Sequence, residues 1–196
     1  QAFPHMSVDP VVVAAHVVTA LQSAMTRELP PTEPAVITIG SIKAGTQGNV
    51  VPDFAILKGT ARALDHEIRT SMKGRIERVA QHVAAAFRAS AEVRYELSYP
   101  PTINDPQTVK LVRQSARQIH EITEIRDADV MTWAEDFSFI LEAVPGAMIL
   151  LGTQGGEASA YPHHSAHFDI DERALPIGAG LLARLAIDYL SASPRQ

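Results

Sequence analysis

AVITIGSIKAGTQGNVVPDFAILKGTARAL, residues 35–64, decides how the first half of the chain is read. Its two flanks, AVITIGSI and DFAILKGTARAL, are rich in β-branched and apolar residues. Between them the polar, glycine-bearing KAGTQGNVVP cannot continue a strand, so the stretch predicts a hairpin with a long loop. Upstream, DPVVVAAHVVTALQSAMTRE (9–28) offers Asp9 as an N-cap and Pro10 at the first helical position. Ala14, Val17, Val18, Leu21 and Met25 then recur at helical spacing, and Pro30, Pro31 and Pro34 end the run. Downstream of Asp65, the residues Ile68, Met72, Ile76, Val79, Val83 and Phe87 predict a second helix. AEVRYELSYP (91–100) then alternates, with Val93, Tyr95 and Leu97 opposite Glu92, Arg94 and Glu96, as a half-buried strand does. Helix, strand, strand, helix, strand is a split βαβ, ferredoxin-like order lacking its first strand. That strand pairs in the sheet interior, so its loss leaves backbone groups unmatched, and a segment upstream is expected.

YPPTINDP (99–106) is a proline-rich junction that suits a domain boundary, which divides the chain into a first portion, 1–99, and a second portion, 100–196. The second portion predicts a helix over about 107–121, a short strand, a helix over about 135–144, the apolar strand AMILLG (147–152), a histidine-bearing loop and a last helix from about Pro176. Helices alternating with buried apolar strands indicate an α/β layer, of which the final part is expected here.

An apolar fraction of 46%, a charged fraction of 20% and a mean hydropathy near zero describe a globular chain and exclude a disordered one. No apolar run is expected to reach a bilayer span. A net charge of -5 with scattered Lys and Arg leaves no footprint for nucleic acid or an anionic membrane, so small molecules or protein surfaces are the expected partners. Without cysteine, any metal site must be built from His, Asp and Glu. The opening QAFPHM has neither an initiator Met nor the regions of a secretory signal. A piece of a longer, cytoplasmic protein is expected.

Three groups of residues invite chemistry, and each has a structural alternative. AYPHHSAHFDIDE (160–172) gathers His163, His164 and His167. It reads as a metal site or as a polar turn helped by Pro162, because three imidazoles alone do not complete a zinc ligand set. Asp171 suits a cap for the turn leading to Pro176. Glu135 and Asp136 could divide acid and base roles between two carboxylates. Thr132 and Glu135 also have capping-box spacing, with Asp136 in the positive first turn, and this structural reading is the simpler. Asn49 is a turn residue or a ligand contact, and Arg62 a solvated strand side chain or an anion contact. His5, His16, His66, His82 and His120 lack partners at ligand spacing.

Taken in order, AFPHMSVDPV (2–11), GNVVPD (48–53), GTARAL (59–64), YPPTIND (99–105), WAEDF (133–137), VPGAMILLG (144–152) and YPHHSAHFDIDERALPIGAGLLA (161–183) resemble the M20 metallopeptidase and amidohydrolase family. The branch with aminoacylase-like, hippurate and indole-acetyl-amino-acid hydrolases is the nearest in pattern, and the resemblance spans essentially the whole chain. It implies that 1–99 is an incomplete ferredoxin-like satellite (dimerisation) domain and 100–196 the C-terminal part of an α/β zinc-peptidase-like catalytic domain, with a homodimer formed through the satellite. It also implies two divalent metals per complete subunit, Zn2+ or Mn2+/Co2+, that activate a bridging water while a carboxylate shuttles the proton. The general base and most ligands would precede Gln1, so no catalytic residue is assigned here. His164, four residues before the Phe168–Asp169 pair, takes the ligand role. His163, Glu135 and Asp136 remain candidates for places behind it, although His163 and Ala166 depart from the apolar residue and proline common in the family. Asn49 and Arg62 would hold the substrate carboxylate, which suits arginine's fork. The implied reaction is hydrolysis of the amide of an N-acyl amino acid. The alternatives are an M20-type dipeptidase or a non-catalytic dimerisation module. The isolated chain is expected to be inactive and unable to hold two metals tightly.

Overall fold

The computed structural model describes residues 3–192 and separates into two compact units. The first unit runs to Pro101 and includes Thr132–Glu135; the second holds Thr102–Met131 and the chain from Asp136 onward.

In the first unit, helix α1 (Pro10–Glu28) starts where the Asp9 carboxylate accepts the Val11 N–H at 2.9 Å and Pro10 needs no donor partner. Strands β1 (Ala35–Ala44) and β2 (Ala55–Ala63) pair antiparallel, with Ala35 opposite Ala63 and Ala44 opposite Ala55. Helix α2 (His66–Ala86) is capped by Asp65, whose carboxylate accepts the Ile68 N–H at 2.8 Å. The apolar stripes do what their spacing predicts. Val13, Val17, Leu21 and Met25 of α1 meet Met72, Val79 and Ala84 of α2 over Ile37 and Ala63 of the hairpin. Glu28 ties the helices at their rim through Arg78 at 2.5 Å and Arg75 at 2.9 Å, and the Arg78 bond above all, with Arg75, holds its carboxyl below the usual range.

Strand pairing breaks register between Ile39 and Ser41, leaving Gly40 as an extra residue in β1. The irregularity presses the β1 backbone against Gly59, where a Cβ would stand 2.3 Å from the Thr38 carbonyl oxygen and 2.9 Å from Ile39 Cδ1. Gly59→Ala is therefore expected to lower stability by about 2 kcal/mol through overpacking. Chemical denaturation checks this, and a loss under about 0.5 kcal/mol would contradict the close approach.

Residues 91–97 were expected as a strand and are not one here. Val93 and Tyr95 pack on the core and Glu92, Arg94 and Glu96 are exposed as predicted, but Leu97, expected on the buried face, is exposed, and the segment joins no ladder. A strand needs a neighbour's backbone, and the sheet among the described residues is β1 and β2 alone.

The second unit contains α3 (Pro106–Ala116), α4 (Phe137–Ala143) and α5 (Ala174–Ser191). Asp105 caps α3 through the Thr108 N–H at 2.7 Å. The helix stops five residues before the expected Glu121, because Gln118 and Ile119 bond three residues back in tight turns. Helix α5 begins two residues before Pro176, which a first turn tolerates. It lies on α3, where the fully buried Ser115 hydroxyl donates to Asp188 at 2.5 Å and Arg184 pairs with the same carboxylate at 2.8 Å. This pairing holds the Asp188 carboxyl below its usual range. The short strand expected between α3 and α4 and the strand expected at 147–152 also lack ladder partners. Asn104 stands in for a neighbour at one point: its amide donates to the Met148 carbonyl at 2.9 Å and accepts the Met148 N–H at 2.8 Å. Contrary to the expectation from the sequence, α5 is long and apolar enough, at a mean hydropathy of 1.3, to cross a membrane. It packs on α3, and its Arg184–Asp188 ion pair lies within the same stretch.

Candidate functional site

Chain leaving 147–152 passes Thr153, whose carbonyl accepts the Asp171 N–H at 2.9 Å, and so closes the histidine segment into a loop. Within it, Ser165 N–H bonds Pro162 O at 3.2 Å and Phe168 N–H bonds Ser165 O at 3.1 Å, two successive turns. His164 is the third residue of the first turn, at φ 66°, in the left-handed region. Histidine enters that region more readily than most residues, and the conformation still costs about 1 kcal/mol. The three imidazoles are not equivalent. His163 lies edge-on to Phe168 at 5.2 Å and His167 lies against Tyr161 at 5.3 Å, whereas His164 is exposed and has no ring, hydrogen-bond or ion-pair partner among the described residues. The loop thus presents one uncommitted imidazole.

Asp171 holds the turn that leads into α5, as the sequence suggested, while the N-cap position itself falls to Arg173 without a side-chain capping bond. Its carboxylate accepts the Arg173 N–H at 3.0 Å and the Arg173 guanidinium at 2.9 Å, which holds its pKa down at about 2. It lies flat on Gly155, where a Cβ would meet Asp171 Oδ2 at 1.8 Å. A depressed carboxyl stabilises the fold at pH values above its unfolded pKa, and the contribution fades as pH falls through the folded value. The start of α5 is therefore expected to hold to about pH 4 and to loosen between pH 4 and 2. An Asp171 carboxyl titration by NMR with a midpoint near the ordinary aspartate value would refute this.

Glu135 and Asp136 depart from the predicted capping box. The helix starts at Phe137, Asp136 occupies the N-cap position without a side-chain capping bond, and Thr132 lies outside the helix. Thr132 and Glu135 both precede the N-cap position, so neither occupies the N-cap or N3 place that a capping box requires. Among the described residues no three His, Asp or Glu side chains converge on a metal-sized space. The residues present do not make a metal site by themselves; His164 is one isolated donor.

Asn49 and Arg62, paired in the sequence reading, are separated by the hairpin. Arg62 faces Val36 near one end of the ladder, and Asn49 is exposed in the loop beyond Ala55 at the other. Seven residues of strand at about 3.3 Å each put the two roughly 23 Å apart, too far for one carboxylate to touch both within one chain. Arg62 instead borders a cleft of about 340 Å³ in the first unit, together with Arg69, Arg94, Tyr99 and Trp133. Arg69 donates to the Ser98 carbonyl and Arg94 pairs with Glu92 at 2.9 Å. Half-buried Arg62 has no such partner among the described residues, so it is the cleft's uncommitted cation. Tyr99 and Trp133 escaped the sequence reading; Trp133 is the single tryptophan, and no periodicity set it apart.

The model of peptidase family M20/M25/M40 matches residues 8–188. The chain is 38% identical over 181 residues to the N-acetyldiaminopimelate deacetylase of Geobacillus sp., covering 92% of this chain and 47% of that protein. It is 32% identical over 188 residues to thermostable carboxypeptidase 1 of Saccharolobus solfataricus, covering 95% of this chain and 47% of that one. It superposes with a TM-score of 0.77 and 29% identity on the YxeP protein of Bacillus subtilis, described as a dinuclear metal-binding peptidase from the M20 family, over 96% of this chain and 48% of the other. The chain therefore spans about half the length of the relatives it matches. A matched stretch that includes the hairpin, the Arg62 cleft and the His164 loop makes the chain a member of peptidase family M20/M25/M40.

Proposed function

We propose that the chain is part of a cytoplasmic, metal-dependent amidohydrolase that cleaves the amide of N-acyl amino acids, with residues 1–99 as an incomplete satellite domain and 100–196 as the end of the catalytic domain. The observation that carries the reading is the uncommitted, half-buried Arg62 at its cleft, a seat for the carboxylate that every N-acyl amino acid retains. Deacetylases among the relatives support the substrate class. His164 supplies one ligand toward two divalent ions, Zn2+ or Mn2+/Co2+, and the remaining donors belong to the rest of the protein. Asn49 cannot share Arg62's carboxylate within one chain, so the proposal places it at the site of a second subunit in a homodimer.

The chain's own part in the reaction is to orient substrate. A guanidinium on β2 fixes the carboxylate, and rigid strand geometry sets where the amide lies. In the complete protein, Arg62→Lys is expected to raise KM for an N-acetyl amino acid about tenfold or more with kcat little changed, because a charge-assisted bond worth about 1.5–3 kcal/mol is lost. Substrates lacking the carboxylate should respond to neither form. Equal sensitivity of both substrate types would remove Arg62 from the carboxylate.

The reading as a whole is tested by intact mass and turnover of the natural protein. A mass well above 21.2 kDa, with hydrolysis of N-acetyl amino acids after loading with Zn2+, Mn2+ or Co2+, is expected. Turnover of dipeptides alone would make it a peptidase. A mass of 21.2 kDa without turnover would make it a dimerisation module.

A further inference from the structure

We infer that Trp133, with Tyr99, forms an aromatic wall beside Arg62 that selects the amino-acid half of the substrate, favouring N-acyl amino acids whose side chain carries an aromatic ring. The inference rests on the proposed hydrolase reading and names the substrate class within it.

Bonds close to Arg62 place the wall. Helix α2 begins at His66, just past Arg62, and one turn in, the Arg69 guanidinium donates to the Ser98 carbonyl. That bond brings residues 98–101 to the Arg62 end of the cleft, and Tyr99 borders the same space of about 340 Å³. Residues 132–135 group with the first unit although the chain on both sides of them belongs to the second, and Trp133 borders the cleft as well. Neither ring is sealed in the core. Trp133 is 54% exposed and Tyr99 44%, whereas Met72 and Ala84 of the same unit are fully buried. Large rings left half in water at a cleft offer apolar area to a ligand.

The chemistry of the substrate settles which part of it the wall meets. In an N-acyl amino acid the carboxylate and the side chain hang on the same α-carbon, whereas the acyl group stands beyond the amide nitrogen. A carboxylate seated on Arg62 therefore carries its side chain with it, into the end of the cleft that the rings border. The amide has to lie elsewhere, because it needs metal donors: among the described residues no histidine lines this cleft, and Glu96 is its single carboxylate. Flat apolar walls favour a flat apolar group, and ring-on-ring contacts add to the area they bury. Pro100 and Pro101 extend the lining and, as prolines, present no N–H that an apolar side chain would strand.

The test measures binding to the complete natural protein freed of metal, so that no turnover intervenes. Calorimetry is run with N-acetylphenylalanine, N-acetylleucine, N-acetylalanine and N-benzoylalanine. N-acetylphenylalanine is expected to bind at least about tenfold more tightly than N-acetylalanine and about threefold more tightly than N-acetylleucine. Moving the ring to the acyl group, in N-benzoylalanine, should gain less than about threefold over N-acetylalanine. Trp133→Ala should cut the phenylalanine-to-alanine ratio to about threefold or less, and Trp133→Phe, which keeps a ring, should retain most of it. Arg62→Lys should weaken both ligands and leave their ratio unchanged. A ratio near one in the parent overturns the inference without any variant, and so does the absence of binding by all four ligands. It is equally overturned by a ratio that survives Trp133→Ala, by equal binding of the leucine and phenylalanine ligands, or by a gain that follows the benzoyl group. Turnover of the same compounds by the metal-loaded protein is scored separately. Hydrolysis without ring preference keeps the hydrolase reading and rejects the wall; ring-selective binding without hydrolysis does the reverse.

Discussion

His164→Asn in the complete protein is expected to lose at least about a hundredfold in kcat/KM and part of its bound metal, with its thermal unfolding unchanged. Replacing even a residue behind a metal ligand costs about 10–100-fold in affinity or activity, so loss of the ligand itself should exceed that. Asparagine is the informative substitution because it accepts the left-handed backbone that His164 adopts at φ 66°, and so removes the imidazole without disturbing the turn. The exposed imidazole touches no ring and makes no hydrogen bond among the described residues, so stability has nothing to lose. His163 and His167, engaged with Phe168 and Tyr161, serve as controls, and their Asn variants should stay within about tenfold of the parent. Metal content measured by mass spectrometry alongside turnover separates ligand loss from unfolding. Activity within about tenfold of the parent for His164→Asn, with full metal, would return this loop to the status of a polar turn.

Local signals in this sequence proved legible and pairwise ones did not. Asp9 was placed to cap α1 and does, because capping is decided within three residues; Asp65 and Asp105 cap α2 and α3 in the same way. The stripes of α1 and α2 placed the core correctly, since burial follows helical period. The strands read at 91–100 and 147–152 are only partly met: Val93 and Tyr95 pack inward, but Leu97, Leu150 and Leu151 are exposed and neither segment joins a ladder, which depends on a neighbour that no local signal contains. The same limit governs the site. Spacing could propose three histidines within one loop, but only coordinates show that two are occupied by aromatic rings. Asn49 and Arg62 lie thirteen positions apart in sequence, and a hairpin separates them where a helix or a tight turn would have joined them. Asp171 was legible because its partner, Arg173, is two residues away.

Met72→Ala is expected to destabilise the first unit by about 2–5 kcal/mol, whereas Met6→Ala should be silent within about 0.5 kcal/mol. The two residues are chemically identical and differ only in setting: Met72 is 0% exposed and Met6 is 77% exposed. Truncating Met72 removes its transfer free energy and leaves a cavity between α1, α2 and the hairpin, which helices crossing a two-stranded sheet cannot fully close. Met72→Leu keeps the volume and should cost less than about 1.5 kcal/mol. At about 4–8 °C per kcal/mol for a unit of this size, the alanine variant should melt at least about 8 °C lower. The experiment also weighs the open edge of β2. If the helical layer holds a native core without a third strand, Met72→Ala carries its full cost in the chain as it stands. A cost under about 1 kcal/mol in this chain, restored to several kcal/mol in the complete protein, would mean that the core around Met72 tightens only when the gap beside β2 is filled.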